Sequence, residues 1–532
     1  MSRVMAKNKR SGVTYVYESV GYWDKEKKQA RNHRKCIGKL DPVSGEIIPS
    51  RKIDLADLNS QAKKRGPHPT LESKRRFYGA TYLFNAIGEK LGVTKDLQAC
   101  FPDIYPQILS LAYYLVLEDR NPMSRFPKWA ATHSHPFGEN IPSQRSSELF
   151  AGIDENAKQN FFRAQTERRL EKEFLAYDTT SISSYSKSLK QVKYGFNKDH
   201  EPLPQINLAL LFGEESRLPV YYRKLPGNIA DVKTIRNLLA DIEFLKLGTV
   251  SLVMDRGFYS EENINAMYQK DYKFIIAVKT SLKFVQKKLD EVRASLVTRA
   301  HYSSKHRLYF TSSQEEWSYT PVKEQNCEGE TEVKKVYLHI FYNDQRAVDD
   351  KIDFNDMLDT LEKELLTDCP KPDHEKLYRK YYQVQKTAEM GIVLTPKQEA
   401  IDAAEKNYGY FALISNGVKD PLDALEMYRT KDFIEKAFGN LKERLNMRRT
   451  SVWSAENLEG KLFIQFVALI FMSYIKKEMS DHSLFGKYTM QELLDELDII
   501  ERYEHPEQNY YLGEITKKQQ ELFAFMGIDV PA

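Results

Sequence analysis

The stretch DPLDALEMYRTKDFIEKAFGNLKERLNMRR, residues 420–449, carries the strongest structural pattern in this chain. Asp420 followed by Pro421 predicts a helix N-cap with proline at the first helical position. Strong helix formers then continue past Leu445, and Gly439 is the one weak interruption. The pattern therefore predicts a single long helix.

On a helical wheel of about 100° per residue, four polar side chains fall within one arc of roughly 60°. They are Tyr428, Lys431, Glu435 and Lys442. An apolar stripe adjoins this arc, so the helix would bury one face and present a phenol, a carboxylate and two ammonium groups beside it. A solvated face with Glu435 paired to a neighbouring lysine accounts for the same pattern, because such pairs are common on helices. The helix alone does not separate the two interpretations.

Two aspartates upstream lie in or directly after apolar, β-branched runs. Asp178 stands inside FLAYDTTSISS, residues 174–184, and Asp255 follows the run from Val250 to Met254. Such runs predict buried strands, and ligands bind at the carboxyl ends of strands in α/β sheets. Either aspartate alone is readily explained as a cap or turn residue. Two strand-borne aspartates combined with a helix glutamate between lysines indicate a functional site.

Together these segments resemble the insertion-sequence DDE transposases that have a ribonuclease-H-like core and a Y-(2)-R-(3)-E-(6)-K signature. The signature reads Tyr428, Lys431, Glu435 and Lys442 in this chain, with every spacing kept and lysine in the arginine place. The resemblance covers roughly residues 150–480. It includes YDTTSIS around Asp178, LPGN at 225–228 and DRGF from Asp255.

The resemblance implies DNA cleavage and strand transfer, with Asp178, Asp255 and Glu435 as the catalytic residues. Three carboxylates suffice to hold a pair of Mg²⁺ ions, with Mn²⁺ able to substitute. The residues expected to contact DNA are Tyr428, Lys431, Lys442 and Arg256. Lysine at 431 is expected to keep its phosphate contact with looser geometry, because lysine acts as a point charge where arginine grips phosphate with two parallel hydrogen bonds.

The resemblance further implies double-stranded DNA as partner, both element ends and target, and a homodimer or larger synaptic complex. A nucleotide cofactor is not expected, since the sequence contains no GxxxxGK[ST] loop, and a GxSxG nucleophile motif is also missing. Two alternatives stay open. One is a transposase-derived DNA-binding protein that no longer cuts, and the other is a ribonuclease-H-like nuclease that hydrolyses without strand transfer.

Composition is that of a globular protein, with 41% hydrophobic and 29% charged residues among 532. Four widely spaced cysteines argue against a zinc module or a disulfide framework, and fit a reducing cytosol. The longest apolar run, LFIQFVALIFM at 462–472, is too short to span a bilayer and predicts a buried helix. We therefore expect no membrane partner and a cytoplasmic, nucleoid-associated protein of a prokaryote.

Charge is unevenly distributed along the chain. The net charge is +4 overall, but residues 1–77 hold 19 Lys or Arg against 8 Asp or Glu, a net of +11. A basic first domain on a near-neutral body is typical of a polyanion-binding protein. A solubilising tail is the alternative, and the strand patterns TYVYESVGYW and ARNHRKCIGKLD, which predict an antiparallel hairpin, count against it. Further extended chain is expected at EIIPSRKI, residues 46–53.

The predicted fold class is α/β multidomain, with a ribonuclease-H-like mixed-sheet core interrupted by an α+β insertion. A small basic β-rich domain and a helical region precede this core. From Asp178 onward the patterns predict three antiparallel strands, a helix, and a strand that returns parallel to the first. The predicted boundaries are 1–66 for the basic DNA-binding domain, 67–171 for the helical end-recognition region, 172–279 and 408–478 for the two parts of the core, 280–407 for the insertion, and 479–532 for a helical C-terminal region.

Overall fold

The structure is a computed structural model of the 532-residue chain. It describes residues 2–24, 27–49, 74–168, 173–186, 188–245, 250–321, 330–387, 391–450, 452, 454–504 and 510–532. The chain forms two compact units, one of residues 1–74 with 504–509 and one of residues 75–503 with 510–532. The predicted boundaries near residues 66 and 171, and the second half of the extended segment at 46–53, lie outside the described residues.

The first unit contains an antiparallel four-stranded sheet. Its strands, in spatial and chain order, are β1 Ser2–Lys7, β2 Thr14–Asp24, β3 Gln29–Leu40 and β4 Ile47–Pro49. The predicted hairpin is confirmed by the pairing of β2 with β3.

The second unit is built on a large mixed sheet. Its strands are β6 Leu175–Ser184, β7 Gln205–Gly213, β8 Pro219–Pro226, β9 Ser251–Met254, β10 Lys273–Val278, β11 Tyr302–Ser303, β12 Leu308–Tyr319, β13 Glu332–Tyr342, β16 Tyr410–Ser415 and β17 Arg449–Thr450. Separate small sheets are made by β14 Tyr382–Thr387 with β15 Gly391–Pro396, and by β5 Lys74–Phe77 with β18 Glu501–Glu504 and β19 Tyr511–Leu512.

The order across the large sheet is β11-β12-β13-β16-β10-β9-β6-β7-β8, with β17 on the end of β6. Strands β6, β7 and β8 form the predicted antiparallel meander, and β9 returns parallel to β6. Strand β10 continues parallel to β9, and β16 closes antiparallel on β10. The predicted strand order of the core is therefore confirmed.

Helices cover this sheet and form the region before it. They are α1 Gly79–Lys90, α2 Val93–Cys100, α3 Tyr105–Leu117, α4 Phe126–Thr132, α5 Ser143–Ala151, α6 Glu155–Glu167, α7 Asp231–Phe244, α8 Glu261–Gln269, α9 Lys283–Leu296, α10 Asp344–Leu366, α11 Glu375–Tyr381, α12 Gln398–Glu405, α13 Pro421–Arg429, α14 Asp432–Gly439, α15 Ala455–Asp481, α16 Met490–Asp498 and α17 Lys517–Phe525.

Within the described residues, α15 is the one helix long and apolar enough to cross a membrane by length and composition. It is instead the central core helix of the second unit, because its middle from Leu462 to Ile475 is buried all round. Helices α3 and α5 pack along it. The predicted buried helix at 462–472 is confirmed.

The insertion does not form a body separate from the core sheet. Its strand β13 pairs with β16 over six residues, from Tyr337 opposite Ser415 to Tyr342 opposite Tyr410, so β11, β12 and β13 extend the core sheet. An open edge at β16 would leave backbone donors and acceptors unpaired, and these strands satisfy them. Helices α10 to α12 and the β14–β15 hairpin enclose a second small core around Leu361 and Tyr378.

The prediction of one continuous helix from Pro421 past Leu445 is wrong. Helix α13 ends at Arg429, α14 begins at Asp432, and residues 440–444 are a π-helix. The break follows from Thr430, whose hydroxyl donates to the carbonyl of Met427 at 2.5 Å and competes with the helical ladder. The predicted N-cap is confirmed, since the Asp420 side chain accepts from the backbone N–H groups of Leu422 and Asp423.

Packing of α15 against α5 allows a direct test of this fold. A Cβ added at Gly460 would lie 2.1 Å from the carbonyl oxygen of Phe150, which belongs to backbone and cannot turn aside. We expect Gly460→Ala to lower the thermal unfolding midpoint, with an overpacking cost of about 1–3 kcal/mol. Gly439→Ala is the matched control, because a Cβ there meets nothing within 4 Å and alanine favours the helix by about 0.5–1 kcal/mol. Equal midpoints for the two variants would contradict the described packing.

Candidate active site

Two neighbouring strands present the predicted aspartates side by side. In the parallel pair β6 and β9, Tyr177 lies opposite Met254, and each aspartate is the next residue along its strand. Asp255 keeps an extended backbone, with φ −82° and ψ 166°. Adjacent strands lie about 4.8 Å apart and alternate side chains share a face, so Asp178 and Asp255 project together from one face of the sheet.

The helical segments after β16 bring Glu435 to this place. The ammonium of Lys431 lies 3.5 Å from Oδ1 of Asp255 and 3.4 Å from Oε1 of Glu435, so one cation links a strand-borne aspartate to the helix glutamate. The hydroxyl of Tyr428 donates to the same Asp255 oxygen at 2.7 Å. Two of the four signature residues, Tyr428 and Lys431, therefore contact Asp255, and Glu435 is linked to it through Lys431.

Asp255 is held in its ionised form. Partial burial opposes ionisation, but the hydrogen bond from Tyr428 and the charge of Lys431 outweigh it, and the pKa of Asp255 is lowered. Burial next to a carboxylate has the opposite effect on the phenol, and it raises the pKa of Tyr428. Tyr428 therefore stays protonated and serves as a fixed hydrogen-bond donor.

The environment of Asp178 is less favourable to the ionised carboxylate than that of Asp255. Burial raises the pKa of its carboxyl group, although Lys198, the backbone N–H of Thr179 and Lys431 all act to lower it. Lys198 lies 3.6 Å from Oδ1 of Asp178. The charge of Lys431 thus lowers the pKa of Asp178 as well as that of Asp255, although its contacts are with Asp255 and Glu435.

A fourth carboxylate, Asp231, belongs to this cluster and was missed by the sequence reasoning. It is the first residue of α7, accepts a hydrogen bond from the Thr179 hydroxyl at 2.5 Å, and lies 3.2 Å from the ammonium of Lys198. Its negative charge also raises the pKa of Asp178. The available signal was its place three residues after LPGN, where the chain passes from β8 into a helix.

The other two predicted DNA-binding residues lie elsewhere in the site. The ammonium of Lys442 contacts both carboxylate oxygens of Asp199, at 2.7 and 2.8 Å, and does not join the Lys431 cluster. Residues 440–444 form a π-helix, so Lys442 does not point in the direction that a continuous α-helix would give it. Arg256 follows Asp255 in a short 3-10 turn.

A cleft of about 1010 Å³ opens over Asp255 and Asp231, and neither Asp178 nor Glu435 is among its lining residues. Its lining includes Asp255, Arg256, Asp231 and Tyr428 from the core, together with Arg346 from the insertion helix α10. The remaining lining comes from Lys198, the end of β10 and strand β16. Carboxylates and cations thus alternate along a recess large enough to admit a phosphodiester backbone.

The donor set suits a divalent cation, although the carboxylates are now occupied by ammonium groups. In the described part of the chain, no three His, Cys, Asp or Glu side chains form a ready-made metal cluster. Lys431 lies against Asp255 and Glu435, and Lys198 against Asp178. Two aspartates and a glutamate are hard oxygen ligands of the kind that Mg²⁺ prefers. The residues fit such an ion once the ammonium groups withdraw.

A family model described as the transposase DDE domain matches residues 169–471, which is more than half of the chain. The chain belongs to this family. It is therefore a DNA transposase, an enzyme of DNA cleavage and transfer, in a family that uses divalent metal ions.

Among solved structures, the chain is similar to a piggyBac transposase in a synaptic complex with hairpin DNA. The match covers 84% of this transposase and 74% of that chain, with a TM-score of 0.34 and 10% sequence identity. No curated protein matches the sequence.

The opposite pKa shifts of the two aspartates predict opposite effects on stability. In metal-free buffer at pH 8, Asp178→Asn should raise the thermal unfolding midpoint, because the pKa of Asp178 is raised in the fold and its ionised form is unfavourable there. Asp255→Asn should lower the midpoint, because the pKa of Asp255 is lowered and its ionised form is favoured by folding.

Both differences should shrink as the pH is lowered. The cost of ionised Asp178 disappears as pH falls through its folded pKa, and the gain from ionised Asp255 is lost from about its ordinary pKa of 3.8 downward. Thermal scans of the two variants and the parent from pH 8 to about pH 2.5 measure this. Midpoint shifts of the same sign at pH 8 would refute the described electrostatics.

Proposed function

We propose that this transposase belongs to the insertion-sequence group with the YREK signature and that Asp178, Asp255 and Glu435 are its catalytic carboxylates. One observation carries the proposal. The ammonium of Lys431 lies within 3.5 Å of a carboxylate oxygen of Asp255 and of Glu435, and its charge lowers the pKa of Asp178. Asp178 and Asp255 directly follow the paired residues of β6 and β9. Asp255 and Glu435, which are 180 positions apart in the chain, thus share one cation.

The core is proposed to be ribonuclease-H-like. Support comes from the antiparallel meander β6-β7-β8, the helix α7 and the parallel return of β9, with an insertion before the helix that bears Glu435. This arrangement places one aspartate in the first strand and one after the fourth strand, as the chemistry requires.

The cofactor is proposed to be Mg²⁺ in two sites, with Mn²⁺ as a substitute, held by Asp178, Asp255 and Glu435. When bound, such ions would activate the attacking oxygen and stabilise the negative charge on the leaving oxygen. Such a site could activate either a water molecule, for hydrolysis, or a freed DNA 3′-hydroxyl, for strand transfer. A nucleotide cofactor is not needed.

The chain's own residues prepare the site for this chemistry. Tyr428 donates to Oδ1 of Asp255 and so helps to fix the orientation of this carboxylate. Lys431 and Lys198 balance the mutual repulsion of the carboxylates in the free protein. On metal binding these ammonium groups lose their carboxylate partners, and non-bridging phosphate oxygens of DNA are the natural replacement.

Lys442 and Arg256 are proposed as further phosphate contacts. Lys442 is held by Asp199 in the free protein, so binding DNA exchanges one anionic partner for another. Arg256 lines the cleft beside Asp255. In this proposal the basic first unit binds the DNA of the element ends, and the enzyme works as a homodimer or larger synaptic complex because two ends must be joined.

Loss of a single catalytic carboxylate should abolish cutting. With a supercoiled plasmid that carries the element and its flanking DNA as substrate, we expect Asp178→Ala and Glu435→Gln each to reduce nicking and joining in Mg²⁺ by at least about 1000-fold. Their affinity for the same DNA should change little. Glu443→Gln is the matched control, because Glu443 lies eight residues further along, in the π-helix at 440–444, and is exposed.

The products separate the alternatives. Nicking and joining by the parent support the transposase proposal, whereas nicking without joined products supports a nuclease. Normal cutting by Asp178→Ala or Glu435→Gln would remove these residues from the catalytic role. A parent protein that binds DNA and never cuts it would favour the DNA-binding alternative.

The Lys442–Asp199 pair predicts a gain in DNA affinity on removal of its acid. Asp199→Ala should tighten binding several-fold at low salt, because Lys442 no longer has to leave a carboxylate. Lys442→Ala should weaken binding and reduce the salt dependence by about one ion. In the double variant Asp199→Ala should give no gain, and titration of labelled duplex by all four proteins measures this cycle. An equal gain with and without Lys442 would contradict the pairing.

A further inference from the structure

The first unit ends in a two-stranded ribbon. Residues 19–24 of β2 pair with residues 29–34 of β3, from Ser19 opposite Arg34 to Asp24 opposite Gln29. Strand β1 pairs with β2 only as far as Ser19, and β4 pairs with β3 only at 38–40. In the described part of this unit, the ribbon therefore projects beyond the rest of the sheet.

Both faces of the ribbon are open to solvent. Every residue from Gln29 to Arg34 is exposed, and so is every residue from Val20 to Trp23. Trp23 has 62% of its surface exposed and Tyr22 has 50%. A lone two-stranded ribbon buries too little to be stable by itself, and exposed aromatic side chains of this size are typical of a binding surface.

The ribbon has a strong positive charge. Its described residues, 19–24 and 27–34, contain Lys27, Lys28, Arg31 and Arg34 against the single carboxylate of Asp24. Arg31 lies 3.6 Å from that carboxylate, in a weak surface pair. The charge and the exposed rings together favour a polyanion as the partner.

The register sorts these residues onto two faces. Asn32 and Arg34 share a face with Gly21 and Trp23, because Asn32 lies opposite Gly21 and Ala30 opposite Trp23. We name this the Asn32 face. The other face carries Arg31 and His33 and also Asp24, the one carboxylate among the described ribbon residues. A polyanion is therefore repelled less by the Asn32 face.

Gly21 keeps that face shallow. A Cβ at this position would lie 3.2 Å from Oδ1 of Asn32, so a larger residue would crowd the asparagine amide. The absence of a side chain leaves the amide accessible. Asparagine pairs with adenine through two hydrogen bonds in the major groove, and arginine pairs with guanine in the same way.

We propose that this ribbon enters the major groove of double-stranded DNA with its Asn32 face toward the base edges. The major groove is about 12 Å wide and 8.5 Å deep and accepts a two-stranded β-ribbon. Five residue pairs extend about 17 Å, enough to reach the floor of the groove. Lys27 and Lys28, at the turn, contact the flanking phosphates. The inference rests on the proposed function and assigns the element that reads the DNA sequence.

The experiment selects a preferred sequence and then weakens its recognition. The full-length protein, in EDTA so that no cleavage occurs, is used to enrich a random 25-base-pair duplex library. Affinities are then measured for the enriched duplex and a scrambled duplex. We expect Arg34→Ala and Asn32→Ala each to weaken binding to the enriched duplex by about 5- to 100-fold and to leave binding to the scrambled duplex within about 2-fold.

Arg31→Ala is the matched control, since it removes the same charge from the opposite face of the same strand. It should weaken both duplexes alike, and Lys27→Ala should reduce the salt dependence by about one ion on both. Enrichment of no sequence, or unchanged preference in Arg34→Ala and Asn32→Ala, overturns the proposal. Since binding is measured without metal, this failure is distinct from loss of catalysis, which Asp178→Ala reports separately.

Discussion

The repulsion among clustered carboxylates is the constraint on which the rest of this structure depends. Asp178, Asp231, Asp255 and Glu435 are brought to one end of a sheet, and a fold without countercharges there would be destabilised by its own site. Two lysines solve this: Lys198 lies between Asp178 and Asp231, and Lys431 lies between Asp255 and Glu435. The free enzyme is thus stable because its ammonium groups stand where the reaction needs other cations. On the proposed function, activity requires an exchange of ions, and this exchange would couple metal binding to DNA binding, since displaced lysines need new anions.

The irregular helix after β16 is what allows Lys431 and Lys442 to do different things. Its break after Arg429 places Tyr428 at the end of one helix and Glu435 in the first turn of the next, and both reach Asp255 or its partner lysine. The π-helix at 440–444 then carries Lys442 to Asp199. A continuous helix would keep all four groups in one row along its axis. The interruptions instead distribute them around a cleft, which a bent phosphodiester backbone can fill.

Strand order and the neighbouring aspartates were predictable because buried parallel strands have a distinctive apolar pattern and a helix of standard length joins them. The residues that contact these aspartates were not predictable from the sequence. Lys198 and Asp199 lie in the loop between β6 and β7, which has no periodicity to read, and Asp231 looks like any acid in a first helical turn. The break at Thr430 results from a side-chain hydrogen bond that helix propensity does not contain. Likewise, strands β12 and β13 were recognisable as strands, but their pairing with β16 depends on long-range backbone matching.

The distribution of ion pairs argues that binding and cutting are assigned to different units. Lys198, Lys431 and Lys442 are already paired with acids, so in the proposed mechanism these lysines must leave a carboxylate before they contact DNA. The first unit differs, since the described residues of its ribbon hold four Lys or Arg against one Asp. Phosphate attraction supplies most non-specific affinity for DNA and scales with the cations that are free to release counterions. On the proposed function, tight association begins at the first unit, and the cleft holds DNA only once metal ions have displaced its lysines. The proposed site would then be inert toward the DNA that the protein merely scans.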